Sequence, residues 1–109
     1  VIVEEKIKEC LIDGKKWFDM EPGTDRSLFY HAFGLGGETG EVLDIIKKSM
    51  RGEEGLTQGD ICKLQEEMID VFVHWCNLWG QLAMLSTING SPTTIYDRKR
   101  KFNVERFDA

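Results

Sequence analysis

Gly34-Leu35-Gly36-Gly37-Glu38-Thr39-Gly40-Glu41-Val42-Leu43-Asp44-Ile45-Ile46-Lys47-Lys48 places two acids three residues apart inside an apolar pattern of helical period. At 100° per residue, Glu38 and Glu41 fall in the sector of Leu35, Val42 and Ile45, which form the apolar stripe of that helix. They are therefore expected to point inward, where an ionised carboxylate without a partner is costly. A second pair of the same spacing, Glu67-Met68-Ile69-Asp70, lies in the next apolar segment and flanks the stripe Leu64, Met68, Val71, Trp75, Leu78 and Leu82. Two such helices packed side by side bring four carboxylates to one point: Glu38, Glu41, Glu67 and Asp70.

Four carboxylates within a few ångströms require protons or cations between them. Oxygen-only ligands favour Mg²⁺ or Mn²⁺ over zinc or copper. A di-iron bundle uses Glu-x-x-His on two helices, and here the third-position residues are Glu41 and Asp70. Gly34, Gly36, Gly37 and Gly40 crowd the same helix, although each costs about 1 kcal/mol relative to Ala. Their presence calls for a close approach to that backbone, by a packed helix or by a ligand.

Outward from these pairs, the punctuation predicts four helices and no strand. The first runs from about Val3 to Met20 and is closed by Pro22-Gly23, with Gly14 weakening its middle. Thr24 or Asp25 caps the second, which ends near Met50, where Lys47, Lys48 and Arg51 suit the negative end of the dipole and Gly52 suits the stop. Gly52 to Gly59 is a loop; Thr57 or Asp60 caps the third helix, to about Ser86. Asn89-Gly90 marks a turn, and Ser91 with Pro92 starts a fourth helix ending near Phe107. The expected architecture is all-α, a four-helix bundle-like protomer forming one domain over residues 1–109. The third helix is apolar on two sides, since Cys62, Ile69, Val73 and Cys76 lie away from its main stripe. That predicts a subunit interface, in a homodimer or a homotetramer, or else a central position for the helix.

Composition narrows the partners. A net charge of −5 over 109 residues argues against a general nucleic-acid or anionic-membrane binder. Three widely spaced cysteines, Cys10, Cys62 and Cys76, suggest neither a disulfide framework nor zinc, and fit a reducing cytoplasmic setting. The first residues lack the pattern of a secretory signal. The most apolar segment, Met68 to Leu85, is interrupted by Asp70, His74, Asn77 and Gln81, which excludes a plain membrane span.

The fourth helix carries the opposite charge. Lys99, Asn103 and Arg106 share one face beside Ile95 and Tyr96, and two cations with an amide donor can receive phosphate oxygens.

Glu38-x-x-Glu41, 25 intervening residues and Glu67-x-x-Asp70, with the glycine-rich flank and the closing Lys99-x-x-x-Asn103-x-x-Arg106, resemble the MazG-like members of the all-α NTP pyrophosphohydrolase superfamily. The likeness spans about Leu28 to Phe107. It implies Mg²⁺-dependent hydrolysis of a (deoxy)nucleoside triphosphate to the monophosphate and pyrophosphate, in the service of nucleotide-pool housecleaning. By the match, Glu38, Glu41, Glu67 and Asp70 bind the metal, Glu41 and Glu38 act in catalysis with Glu41 nearest the attacking water, and Lys99, Asn103 and Arg106 hold the phosphates. It also implies that a neighbouring subunit completes the site. One departure is Gly37, which stands before Glu38 where longer relatives often carry a glutamate. Trp17, Phe18, Phe29 and Tyr30 are candidates for holding the base, and His74 lies one turn beyond Asp70. Two readings of another class stay open: a helical interaction or regulatory module, and a nucleotide-binding protein without catalysis.

Overall fold

The computed structural model describes residues 2–86 and 91–108, so the turn expected at Asn89-Gly90 lies outside the described residues. Four helices account for the fold: α1 (Ile2–Phe18), α2 (Asp25–Arg51), α3 (Gln58–Leu85) and α4 (Pro92–Phe107). No strand occurs among the described residues.

The helix starts follow their caps. The Thr24 hydroxyl accepts from Ser27 N, and Ser91 accepts from Thr94 N ahead of Pro92. Thr57 is the cap of α3, and Asp60 completes a reciprocal capping box by accepting from Thr57 N at 3.1 Å. α1 stops two residues earlier than expected, at Phe18, because Asp19 turns into the left-handed region at φ 51°, which a short polar side chain tolerates. Gly23 has φ 84°, a conformation that suits glycine alone, and its N–H donates to the buried Gln81 at 2.9 Å.

α3 is the central element. Paired contacts run in opposite chain order along α2 and α3: Ser49 with Asp60, Glu38 with Glu67, and His31 with His74. The two helices are therefore antiparallel. α1 packs on another side of α3, where Gly14 meets Asn77 and Gly80 meets Leu11 and Ile7 so closely that an added Cβ would lie 2.6 Å from a neighbour. Gly14 thus serves helix packing and the helix continues through it. α4 is held to α1 by Glu4, which accepts from Thr93 N and, at 3.0 Å, from Thr93 Oγ1. Among the described residues, the backbone of α4 approaches neither α2 nor α3.

The all-α protomer is consequently a flat helical bundle. It measures 51 × 46 × 23 Å, and its radius of gyration of 16.8 Å exceeds the value of about 13 Å expected for a compact chain of this length. Its buried centre is short of apolar groups: Ile7, Met20, Leu64 and Cys76 are accompanied there by Ser27, His31, Ser49, Asn77 and Gln81. α1 covers α3 around Cys76, as a central position for the helix requires, while Cys62 and Ile69 on that side stay exposed. On the main stripe Leu64 is buried, and Met68 and Leu82 are 58% and 56% exposed. Beside it Phe72 stacks on Trp75, with ring centroids 5.9 Å apart, and Trp79 lies tilted against Trp75 at 5.2 Å. Trp75 and Trp79 face Pro92, Ile95, Tyr96 and Lys99 across an apolar cleft of about 430 Å³.

No described helix is long and apolar enough to cross a membrane. All three cysteines are free. Burial pushes the Cys76 thiol up to about 12 and raises that of its neighbour Cys10, so both stay protonated and inert at neutral pH.

Candidate functional site

The antiparallel pairing of α2 and α3 brings the two acidic motifs together midway along the hairpin. Glu38, Glu67 and Asp70 each offer a carboxylate oxygen within 4.8 Å of the other two. Glu41 lies outside that three-way convergence but within hydrogen-bonding reach of Glu67 and Glu38. Glu38 and Glu67 are half-buried, while Glu41 and Asp70 are exposed at the rim. The inward placement expected of the first motif thus holds for Glu38 more than for Glu41.

Acceptors face acceptors here. Glu38 Oε2 and Glu67 Oε2 are both shielded from water and lack a hydrogen-bond partner. Contact with the carboxylates of Glu41 and Glu38, aided by burial, pushes Glu67 up to about 7. Burial raises Glu38 as well; the Glu41 and Asp70 charges add to this, while the bond to Glu67 opposes it. A proton or a cation placed among these oxygens satisfies the orphaned acceptors and removes the repulsion. The donor set, oxygen only and part exposed, fits a hard divalent ion that keeps positions open for further ligands.

This electrostatic state has a measurable consequence. In the metal-free protein Glu67 titrates near 7 instead of 4.5, so between those values the native chain holds a proton that the unfolded chain has released. Stability from that proton is complete below 4.5 and is lost as pH rises through 7. We expect the melting temperature of the parent, relative to Glu67→Gln, to fall from pH 4.5 to 7 in chelator. His31 works in the opposite sense: burial and the His74 charge lower it to about 4, so its contribution is lost as pH falls from 6.5 towards 4. That part is shared by both proteins and cancels in the difference. A difference that does not change with pH would show that Glu67 titrates normally.

Of the four crowded glycines, Gly34 alone is filled from within, since a Cβ there would lie 2.4 Å from the His74 ring. Gly36, Gly37 and Gly40 have nothing within 4 Å. Beside them the α2 surface is apolar, with Phe29 and Phe33 stacked at 6.3 Å and Phe33 76% exposed. Phe18 and Tyr30, 4.8 Å apart, pack with His31 and His74 on the α2–α3 seam next to the acids. Trp17 is exposed on α1.

Lys99, Asn103 and Arg106 are all exposed on α4. Lys99 and Asn103 border one surface pocket of about 320 Å³ together with Tyr96 and Arg100. Arg106 lies over the Phe107 ring at 5.0 Å. Among the described residues, neither Lys99 nor Arg106 forms an ion pair with the acids of α2 and α3. The sequence pattern did not mark His31, and it marked the buried amides Asn77 and Gln81 only as interruptions of an apolar segment.

Comparison of the chain with protein-family models, curated proteins and solved structures gave no match.

Proposed function

We propose that the protein is a Mg²⁺-dependent nucleoside triphosphate pyrophosphohydrolase, as its resemblance to the MazG-like enzymes implies, and that it works as a homodimer or a tetramer of dimers. The observation that carries the reading is the pair of shielded, unpartnered oxygens of Glu38 and Glu67 within a cluster of three carboxylates. A helical interaction module has no use for such a pair, whose repulsion only destabilises it.

Glu38, Glu67 and Asp70 would hold the metal, with Glu41 at the edge. When bound, Mg²⁺ supplies charge neutralisation for the triphosphate oxygens and acidifies water. Glu41, exposed beside the cluster, is placed to take a proton from the attacking water. The new bond joins that water's oxygen to the α-phosphorus. The bond that breaks runs from the α-phosphorus to the oxygen bridging to the β-phosphorus, so the products are the monophosphate and pyrophosphate. Removal of unwanted (d)NTPs is the cellular task this chemistry suits.

The phosphate-binding face comes from a second copy. α4 carries five cations against two acids in a chain of net charge −5, and its described backbone does not approach that of α2 or α3, which carry the acids. A second protomer seated on the open α3 stripe would bury Met68, Trp75 and Leu82 and set each α4 against the other copy's acids.

Lys99→Ala and Arg106→Ala are expected to weaken triphosphate binding with little effect on folding, because both residues are exposed. Complementation then tests the shared site. Mixed and reassembled chains of Glu41→Gln and Arg106→Ala, each impaired alone, should regain pyrophosphate release at subsaturating triphosphate, since some dimers contain one intact site. A mixture as impaired as its components would place both groups in the same chain.

A further inference from the structure

His31 is 2% exposed and faces half-buried His74 across the α2–α3 seam, Nδ1 to Nδ1 at 3.0 Å. Such a contact needs one ring to donate and the other to accept, so the two tautomers are complementary and both rings are fixed. Three neighbours tighten the arrangement. Gly34 lies flat against the His74 ring, with no room for a β-carbon. Tyr30 packs edge-on against His31 at 5.1 Å, and Phe18 does so at 6.0 Å.

Its place along the hairpin gives the pair its meaning. His31 precedes Glu38 by about two helical turns, and His74 follows Asp70 by about one. On the far side of the acids, the hairpin is tied by Ser49 Oγ donating to Asp60 Oδ2 at 3.0 Å. Between these ties the seam carries buried Leu64 and the facing carboxylates of Glu38, Glu67 and Asp70. The spacing of those carboxylates is set in part by the ties on either side of them.

We propose that His31 and His74 are positioning residues, whose mutual hydrogen bond against Gly34 fixes the α2–α3 spacing and so keeps Glu38, Glu67 and Asp70 close enough to share one divalent cation. The proposal rests on the cation-site reading above. Neither histidine touches the ion or the substrate.

The test compares His31→Leu, which deletes the bond, with His31→Asn, whose amide can replace Nδ1. Mn²⁺ is the probe, followed by the paramagnetic signal of the free ion, and circular dichroism checks helicity. His31→Leu should keep its helices yet bind Mn²⁺ about tenfold or more weakly, the usual cost of losing a group that orients metal ligands. His31→Asn should bind close to the parent. A folded His31→Leu with parental affinity overturns the proposal, as does His31→Asn failing as badly as His31→Leu. If the parent does not bind Mn²⁺, the cation reading fails first. The spacing claim is then judged on the distance between spin labels placed on the exposed faces of α2 and α3, which must change in His31→Leu and be restored in His31→Asn. Should His31→Leu not fold, His74→Leu and His74→Asn carry the same comparison.

Discussion

Replacing Glu41 by Gln is expected to slow pyrophosphate release by about 10²- to 10⁴-fold, the usual contribution of a general base, with the helices intact. Gln is nearly isosteric, and Glu41 is exposed, so packing does not suffer. One charge leaves a cluster in which Glu41 lies against Glu67 and Glu38, and the metal-free protein should melt at the parental temperature or above it. Glu41 is outside the three converging ligands, so the stabilising effect of Mg²⁺ should weaken but survive. Glu67→Gln, which alters one of the three, should lose most of that effect. Parental turnover in Glu41→Gln would remove the base assignment, and an unchanged Mg²⁺ response in Glu67→Gln would remove the ligand assignment.

Met68→Asp should have the largest effect on assembly. In the isolated protomer Met68 is 58% exposed, and a substitution at such a surface position ordinarily changes stability by no more than about 0.5 kcal/mol. Buried against a second copy, the same aspartate is an unpaired charge in an apolar seam, which costs several times as much. Light scattering should find the parent a dimer or larger at micromolar concentration and Met68→Asp dissociated, with a lower melting temperature. A monomeric parent, or a variant that assembles and melts normally, would contradict the shared-site arrangement.

Local chemistry was legible in the sequence, and packing partners were less so. Thr24, Thr57, Gly52 and Ser91-Pro92 marked the helix boundaries because caps and stops act through neighbouring backbone groups. The meeting of Glu38, Glu67 and Asp70 was readable because two i,i+3 pairs on consecutive antiparallel helices leave few alternatives. The period of α3 identified its apolar stripe but not what covers it. Periodicity records which side chains avoid water and is silent on whether the cover comes from the same chain. A subunit interface or a central position was expected from the side of Cys62, Ile69, Val73 and Cys76; α1 packs there around Cys76, while Met68 and Leu82 of the main stripe stay exposed. His31 was invisible because its partner, His74, is distant in sequence, and Gly34 acquires its purpose only from the ring placed on it.

The proposed reaction is tested most directly by ³¹P NMR of a panel of canonical and modified (d)NTPs incubated with the protein and Mg²⁺. The predicted result is paired growth of nucleoside monophosphate and pyrophosphate signals from at least one triphosphate, abolished by chelator and by Glu67→Gln. Triphosphates that remain intact across the panel, or that yield inorganic phosphate and the diphosphate, would contradict it.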